Sequence, residues 1–543
     1  MSGPLDRRPF DAVVVGAGAA GSWAAKDLAE GGLRVLLLDA GRGIDAAVDF
    51  PEPGESHPIR TRIAAALGGQ HIQARCISFG ASTKHFYVND RECPYVFPKE
   101  SPFLWIRGRQ VGGRLHTWAR SVLRMSDHEF QGVSGLSEFA WPIRYADLAP
   151  YYDRVERTLG VHGSGEGLDG VPDGIFIGPH EISPAEQLLR QRLKERTGLT
   201  LIHNRVVQYT PSRIPIPLQL GLKTPRLTIR PDSVVSRLTI DERTGSARGV
   251  GYIDRVTRAY AEAEAPVILL CASALESVRI LLNSAGGRHP RGVGGSSGVL
   301  GRYVCDHVSF GKGGPLAEDY LTAQAGYRSP AKDPYDFGVY SMYLPNFCGK
   351  WGESPDFAGG YGLQMGCIGS HWWGLAFGEM LPRFENRIVL SKKRDAWGIP
   401  AADIDVRHGE NEERMARHIS RSVDAICNEV GLSAQLGGHK APRAYQRWII
   451  SFLKRRLFAP SGLFWPGASI HETGGARMGR DPGASVVNEH CRVWDAPNVF
   501  VTDGACFVSS GHQNHTLTIM AITARTCDYI VRDFDRLRGP AAR

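Results

Sequence analysis

Residues 11–41 read DAVVVGAGAAGSWAAKDLAEGGLRVLLLDAG, and this stretch decides the fold. The apolar run near its start predicts a short buried strand, and the alanine-rich run after it predicts a helix that extends to about Glu30. Gly16, Gly18 and Gly21 form a GxGxxG turn between the two. A strand, a glycine turn and a helix in this order indicate a dinucleotide-binding α/β domain.

Each glycine of the turn has its own predicted role. Gly16 permits the tight turn, Gly18 lets the backbone approach a pyrophosphate, and Gly21 lets the helix pack closely on the strand. The helix N-terminus then faces the phosphate charge. The second apolar run, Val35 to Leu38, ends in Asp39, which is placed to accept the ribose hydroxyls of an adenosine. An ADP-containing dinucleotide is therefore predicted, and the alternative is a glycine-rich turn in an unrelated α/β domain.

The sequence after this turn favours FAD over NAD. An NAD enzyme usually completes its dinucleotide fold within the next ~120 residues. Here a Pro- and Gly-rich region follows, and strand-rich sequence returns only at 233–255 and at 265–284, where a small-residue turn contains Ala272. Such a late return suits a large flavin buried between two domains better than a nicotinamide that comes and goes.

Composition excludes several classes of function. The chain has 543 residues, 42% apolar and 22% charged, which is typical of a globular protein of two domains. The formal charge of +8 is spread without a block of five like charges, so no nucleic-acid partner is expected. No signal peptide and no run of 18 apolar residues is visible, so no transmembrane segment is expected.

Ten cysteines are scattered along the chain without a CxxC pair. This pattern is typical of buried thiols in a reducing compartment, so a cytoplasmic location is expected and no metal site is predicted. Residues 200–232 contain no cysteine, so this stretch has no thiolate ligand set for an iron–sulfur cluster.

Six further motifs make the chain resemble the glucose-methanol-choline (GMC) family of flavoprotein oxidoreductases over nearly its whole length. The resemblance is greatest to the carbohydrate-oxidising branch, which includes pyranose oxidases and glucoside 3-dehydrogenases. Besides VVVGAGAAG, the motifs are WIRGRQVGGRLHTWAR (105–120), WPIRYADLAPYYDRVE (141–156), SGVLGRYVCDHV (297–308), ENRIVLSKKRDAWGIP (385–400), HETGGARMG (471–479) and the segment 498–530 that begins NVFVTDG.

The resemblance implies an α/β fold in which a Rossmann-type FAD-binding domain is interleaved with an α+β substrate-binding domain. The FAD-binding domain is expected to comprise residues 1–125, 190–310 and 462–543. The substrate-binding domain is expected to comprise residues 126–189 and 311–461.

The resemblance also implies two catalytic positions. His471 would stand before the flavin N5 and take the proton of the substrate hydroxyl, a role that suits imidazole because its pKa lies near the working pH. Relatives commonly carry Asn-Pro at the second position, and some carry a histidine, whereas this chain has Asn514 followed by His515. We favour Asn514 as the substrate contact and keep His515 as the alternative.

The flavin-binding positions are carried over in the same way, and they predict non-covalent FAD. Fungal pyranose oxidases attach the flavin through a histidine directly before the tryptophan that corresponds to Trp118. Here Thr117 holds that place and His116 lies one residue earlier, so a histidyl link is not expected. The full set is Gly16, Gly18, Gly21, Asp39, Arg109, Gly112, Gly113, Thr117, Trp118, Ala272, Asp503, Gly504 and Thr516.

The implied activity is oxidation of a secondary ring hydroxyl of a sugar or glycoside, at C2 or C3, with electrons passing to O2 or another acceptor. Two alternatives are a lyase like the GMC hydroxynitrile lyases and oxidation of a non-sugar alcohol or polyol. The stretch Tyr445–Phe458 alternates apolar and basic residues at helical spacing. It predicts a helix that acts as a lid or an interface, which makes a homo-oligomer a candidate state.

Overall fold

A computed structural model describes residues 9–52, 57–133, 136–168, 170–328, 341–345, 356–436 and 463–538. The α-helices there are α1 Ala19–Glu30, α2 Ala46–Asp49, α3 Pro58–Leu67, α4 Asp127–Phe130, α5 Tyr145–Leu159, α6 Pro184–Thr197, α7 Ile216–Gly221, α8 Ala274–Asn283, α9 Glu318–Ala323, α10 Glu410–Val430, α11 Thr516–Arg532 and α12 Phe534–Leu537. The strands are β1 Ala12–Val15, β2 Val35–Leu38, β3 Ile202–His203, β4 Leu227–Arg230, β5 Ser233–Ile240, β6 Ala247–Asp254, β7 Tyr260–Glu264, β8 Val267–Leu270, β9 Val308–Pro315, β10 Met342–Leu344, β11 Tyr361–Ile368, β12 His371–Gly378, β13 Arg387–Arg394, β14 Pro400–Asp405, β15 Gln435–Leu436 and β16 Val499–Val501.

Five parallel strands form the first sheet, in the order β16-β8-β1-β2-β4. β1 lies in the middle, with Val13 opposite Leu36 on one side and opposite Ile268 on the other. Every residue of β1, β2 and β8 is buried, as expected for parallel strands covered on both faces. The predicted order of strand, glycine turn, helix and strand is thus confirmed, and α1 ends at Glu30 as expected.

Helices α1 and α11 cover one face of this sheet. Ala24 of α1 and Ile530 of α11 lie in one buried cluster with Val14 and Leu37, which project from the same face of β1 and β2. Because α11 comes from the end of the chain and β4 and β8 from its middle, the sheet collects segments that are far apart in sequence. The expected late return is found at 265–284, which supplies β8, and 227–230 supplies β4. The stretch 233–255 instead forms β5 and β6 of a separate three-stranded antiparallel sheet.

Six antiparallel strands form the second large sheet, in the order β15-β9-β12-β11-β10-β3. β11 and β12 form a hairpin in which Gln364 lies opposite Leu375. The long helix α10 packs against β9, with Met415, Ile419 and Val430 buried on one of its faces. The predicted α/β class, with a parallel sheet beside a mainly antiparallel region, is confirmed.

The five-stranded and six-stranded sheets draw their strands from interleaved parts of the sequence. Strand β3 belongs to the six-stranded sheet although it lies within 190–310, a range that the sequence assigned to the FAD-binding domain. The predicted domain boundaries themselves stay a prediction. The predicted helix at Tyr445–Phe458 lies outside the described residues. Among the helices that are described, none has the length and apolar character needed to cross a membrane.

Candidate active site

The GxGxxG turn joins β1 to α1 and leaves room beside its backbone. Gly16 has a φ of 96°, and a Cβ there would lie 2.5 Å from the Cys271 carbonyl oxygen, so only glycine fits. A Cβ on Gly21 would lie 1.6 Å from the Gly16 carbonyl oxygen, so the helix approaches the turn closely. A Cβ on Gly18 would meet no described atom within 4 Å. The turn therefore offers open space at a helix N-terminus, where a pyrophosphate fits.

Asp39 follows β2 directly and ties its end to the glycine turn. The Ala17 N–H donates to Oδ2 and the Gly41 N–H donates to Oδ1, each over 2.8 Å. Burial raises the pKa of this carboxyl, and the two backbone donors oppose that rise. Each carboxylate oxygen can accept more than one hydrogen bond, so Asp39 retains capacity for ribose hydroxyls. That assignment stays a prediction.

A second loop reaches the glycine turn through two glycines. Gly112 has a φ of 94° and Gly113 a φ of 54°, both in the left-handed region. A Cβ on Gly113 would lie 3.4 Å from the Cα of Gly18, so the two backbones are close neighbours. The structure therefore brings the predicted flavin-lining loop to the predicted pyrophosphate turn.

The side chains of this loop differ in how they are engaged. The guanidinium of Arg109 lies 4.8 Å from the Trp397 ring, and its Nη2 lies 3.5 Å from Glu276 Oε1. Thr117 donates its hydroxyl to a carbonyl oxygen one turn earlier over 3.5 Å. Trp118 is partly buried against the main core. Arg109 is thus held by protein groups, while the backbone glycines form the part of the loop that faces the turn.

Two further predicted positions lie at the carboxyl ends of β8 and β16. The Ala272 N–H donates to Ser277 Oγ over 3.1 Å, and the Ser277 hydroxyl donates to Asp503 Oδ2 over 2.5 Å. Burial raises the pKa of Asp503 to about 6. Gly504 begins a short 3₁₀ turn and Thr516 begins α11. Because carboxyl ends of parallel strands meet at one edge, Ala272 and Asp503 lie on the same side of the sheet as the GxGxxG turn.

Asp306 holds the loop that carries His471. Its Oδ2 accepts the Gly467 N–H over 2.6 Å, and its Oδ1 accepts the His471 N–H over 3.1 Å. Ile470 has a φ of 64°, a conformation that is strained for a β-branched residue. Burial, with a contribution from Glu472, raises the pKa of Asp306 to about 7. The backbone before His471 is therefore fixed by a buried carboxyl and by local strain.

His471 lies between Asn514 and His307. Its Nε2 lies 3.2 Å from Asn514 Nδ2, and its Nδ1 lies 2.9 Å from His307 Nδ1. The Phe377 ring lies 5.2 Å from the His471 ring, centroid to centroid. Burial, with a contribution from His515, lowers the pKa of His471 well below 6.5. The imidazole is therefore neutral at pH 7 and can accept a proton.

The ring nitrogens of His515 and His512, the other histidines of this segment, bind other groups, although the His515 ring lies 5.4 Å from the His471 ring, centroid to centroid. His515 Nε2 donates to a backbone carbonyl oxygen five residues earlier over 2.6 Å, and burial lowers its pKa to about 4. His512 Nδ1 lies 3.2 Å from Glu129 Oε1. Asn514 is the residue of the segment whose side chain meets a ring nitrogen of His471.

The residues present fit FAD. The space beside Gly18 accommodates a pyrophosphate, and a side chain at that position would fill it. Two buried oxygens of the same region, Gln110 Oε1 and Glu472 Oε1, have no hydrogen-bond partner within the described residues. Hydroxyl and ring N–H groups of FAD are donors that such acceptors can bind. Buried acceptors of this kind normally have a partner, and the donors of a bound FAD would supply one.

Sequence reasoning missed three residues that contact the predicted pair. Asp306 and His307 lie in the motif at 297–308, directly before β9. Their place in this motif could have indicated a role in the site, but none was predicted for them. Gln364 donates from Nε2 to Asn514 Oδ1 over 2.6 Å. Nothing in the local sequence marks Gln364, because its position depends on the pairing of β11 within the sheet.

Comparisons with known proteins point to one family of oxidoreductases. Residues 382–523 match a family described as GMC oxidoreductase. The chain is 26% identical to the paromamine 6'-oxidase of Streptomyces fradiae, over 97% of this chain and 92% of the relative. It is also 26% identical to the fructose dehydrogenase large subunit of Gluconobacter japonicus, over 96% of this chain and 98% of the relative.

A solved structure shows the same fold. The formate oxidase of Aspergillus oryzae superimposes with a TM-score of 0.65 at 16% identity, covering 98% of this chain and all of the other. The glycine turn, the open space for FAD and the buried histidine site are all present in one chain with this fold. Residues 382–523 therefore match the GMC oxidoreductase family, the chain is similar to oxidases and dehydrogenases over nearly its whole length, and an FAD-dependent oxidoreductase is the activity that these findings support.

Proposed function

We propose that the protein oxidises a secondary ring hydroxyl of a sugar or glycoside, at C2 or C3, to the keto sugar. The observation that carries this proposal is the distance of 3.2 Å between His471 Nε2 and Asn514 Nδ2. A base and a donor this close can share one substrate oxygen, which is what alcohol oxidation requires. The sugar relatives support the choice of substrate class.

The two side chains divide the work at the hydroxyl. His471 Nε2 takes the hydroxyl proton, which a neutral imidazole can do because its pKa is lowered. The Asn514 amide donates to the substrate oxygen and holds it. The glycine turn and the loop with Gly112 and Gly113 would hold FAD, which would supply an acceptor for the carbon-bound hydrogen and its electron pair and a route for the electrons to O2 or another acceptor. Phe377 lies against His471 and excludes water from that side.

The six-stranded sheet presents a face that suits a ring-shaped substrate. Strand pairing places Gly313 opposite Trp373 and Gly362 opposite Phe377, so these four residues share the face that contacts His471. A Cβ on Gly313 would lie 3.1 Å from the Trp373 ring, so the indole lies over that glycine. Flat aromatic surfaces of this kind support stacking on sugar rings.

Of the two adjacent tryptophans, only Trp373 belongs to this face. Trp372 is fully buried, and its Nε1 donates to the Ser433 carbonyl oxygen over 2.9 Å, so it is part of the core. Trp373 lies four residues from Phe377, about 13 Å along the strand. This separation favours a glycoside whose second ring or aglycone extends from the reacting sugar.

An anaerobic flavin-reduction screen tests the proposal. Monosaccharides, O-glycosides, C-glycosides and simple polyols are mixed with the FAD-loaded protein under argon, and the flavin absorbance is followed. We expect bleaching by at least one sugar or glycoside. Bleaching by polyols alone would replace the sugar with another alcohol, and no bleaching by any alcohol would favour a lyase. Admission of air afterwards tells an oxidase from a dehydrogenase.

Deuterium identifies the ring carbon. The best substrate is prepared with deuterium at C2 or at C3, and flavin reduction is timed with each. We expect a primary isotope effect for one of these two positions, because only that C–H bond breaks. An isotope effect restricted to a primary CH2OH group would contradict a ring secondary alcohol as the site of oxidation.

A further inference from the structure

A continuous chain of buried hydrogen bonds leads from a backbone N–H to the reaction centre. It runs from the Arg205 N–H through three side chains to Asn514 and His471, and it ends at His307. Each of its side chains is at most 8% exposed, apart from the partly buried His471. The three intermediate side chains come from separate parts of the chain and are Asn204, Ser121 and Gln364.

The first hydrogen bonds of this series fix which group donates and which accepts in the bonds that follow. The Arg205 N–H can only donate, and it lies 3.0 Å from Asn204 Oδ1, so this oxygen is the acceptor. The Ser121 hydroxyl lies 2.9 Å from the same oxygen and must therefore donate its single hydrogen to it. Ser121 then has no hydrogen left for Gln364 and can only accept a hydrogen bond from it. The Gln364 amide nitrogen therefore faces Ser121 Oγ, at 3.2 Å.

The next links carry this direction to the catalytic pair. Gln364 Nε2 uses its second hydrogen on Asn514 Oδ1, over 2.6 Å. Asn514 therefore turns its NH2 group towards His471 Nε2. Because an amide NH2 only donates, Nε2 of His471 must be the acceptor and carries no hydrogen. The single hydrogen of the neutral imidazole then lies on Nδ1.

The last link needs an acceptor, and His307 supplies one. His471 Nδ1 lies 2.9 Å from His307 Nδ1, so the His471 Nδ1–H donates and His307 Nδ1 accepts. Burial and the neighbouring histidines lower the pKa of His307 well below 6.5, so His307 is neutral and has a lone pair to offer. His307 can also accept this hydrogen bond when His471 becomes protonated.

We propose that Gln364 and His307 are positioning residues that hold His471 in the Nδ1–H tautomer, with the bare Nε2 turned to the substrate. The proposal rests on the proposed function only in taking His471 as the base. It concerns the proton position in the resting enzyme, which is measurable without any substrate.

The tautomer is read by NMR of the FAD-loaded protein labelled with [¹⁵N]histidine. Long-range ¹H–¹⁵N correlations distinguish a protonated ring nitrogen from a bare one, and the His471→Gln spectrum assigns the signals. We expect a protonated Nδ1 and a bare Nε2 on His471 near neutral pH. A protonated Nε2 in the wild-type protein would overturn the proposal, whether or not any variant folds.

Gln364→Glu reverses the direction of these hydrogen bonds while leaving the shape of the side chain at position 364 nearly unchanged. A carboxylate only accepts, so Asn514 must turn its NH2 group towards position 364 and its oxygen towards His471. We expect the His471 proton to move to Nε2 and flavin reduction to slow about tenfold or more, because the base is then blocked. Gln364→Met is the matched control, since it removes the link without reversing it. It should slow reduction less and leave at least part of the Nδ1–H signal.

The outcomes separate this proposal from the proposed function. An unchanged His471 tautomer in folded Gln364→Glu would overturn the role of Gln364. A His307→Leu variant that keeps the Nδ1–H tautomer would overturn the role of His307, while His307→Asn should retain the acceptor and preserve the tautomer. If the predicted tautomers are found but no sugar reduces the flavin, the proposed substrate class fails and the hydrogen-bond chain stands.

Discussion

The five-stranded and six-stranded sheets contribute to the active site by different physical means. The parallel sheet contributes backbone groups. The glycines of its turns leave space for a ligand beside a helix N-terminus, as at Gly18. The antiparallel sheet contributes side chains, such as Gln364 and Phe377, whose positions depend on strand register. A backbone requirement leaves a residue pattern in the local sequence, whereas a register requirement does not.

This difference predicts that damage to the two regions has separate consequences. Changes at the glycine turn should reduce FAD content. Changes around His471 should leave FAD bound and slow its reduction. Variants that mix the two effects would show that the regions do not act independently.

The largest effect is expected for His471→Ala. Loss of the general base should slow flavin reduction by the best substrate by about 10²-fold or more, while FAD content stays at the wild-type level. Stopped-flow absorbance under argon measures the rate, and the flavin-to-protein absorbance ratio is the control. A nearly normal reduction rate would remove His471 from the role of base.

Gly18→Ala should act on the cofactor instead. The protein itself has room for the methyl group, so the variant should fold, but the methyl group would occupy the space assigned to the pyrophosphate. A clash of 1–2 kcal/mol weakens FAD binding by about tenfold. Titration of the apoprotein with FAD measures this. Gly286→Ala, also in open space but away from this turn, is the matched control and should bind FAD normally.

Much of the parallel sheet could be predicted from the sequence, and much less of the site around His471. β1, α1 and β2 were readable because their glycines and apolar runs are local signals. Gln364 could not be found, since its contact with Asn514 follows from the pairing of β11 with its neighbours. His307 lay in a motif that was singled out, but only the fold shows that its ring meets His471.

The next largest effect on flavin reduction is expected at Asn514, and it distinguishes Asn514 from His515 as the second catalytic residue. Asn514→Ala removes the donor beside His471 Nε2 and should slow flavin reduction roughly tenfold, the scale of one hydrogen bond to a polarised oxygen. His515→Pro should cost less than about threefold. Its φ of −73° suits proline, and its Nε2 bonds a backbone carbonyl oxygen instead of the reaction centre. The reverse order of rates would transfer the second catalytic role to His515.

The pH dependence of flavin reduction should be shallow. The pKa of His471 is lowered well below 6.5, so the base stays unprotonated as the pH falls towards that value. Between about pH 9 and 6.5 we expect less than a twofold change in the limiting reduction rate, with a decline only at lower pH. Asp306, with a pKa raised to about 7, and Glu379, with a pKa raised to about 8, also titrate in this range. A step near pH 7 that vanishes in Asp306→Asn would belong to that carboxyl.

The smallest effect is expected at His116, the residue nearest to the place where some relatives attach the flavin. Its Nε2 is engaged with the Val111 carbonyl oxygen over 2.8 Å, and its ring stacks on Phe86 with centroids 5.5 Å apart. Burial lowers its pKa to about 4. Because this nitrogen already binds a carbonyl oxygen inside an aromatic pocket, we expect it not to attach the flavin, and Thr117 has no ring nitrogen to offer. Acid precipitation should therefore release FAD into the supernatant in the wild type and equally in His116→Phe.

A pellet that keeps its flavin in the wild type and loses it in the variant would prove a histidyl link, and a pellet that keeps it in both would place a covalent bond at another residue.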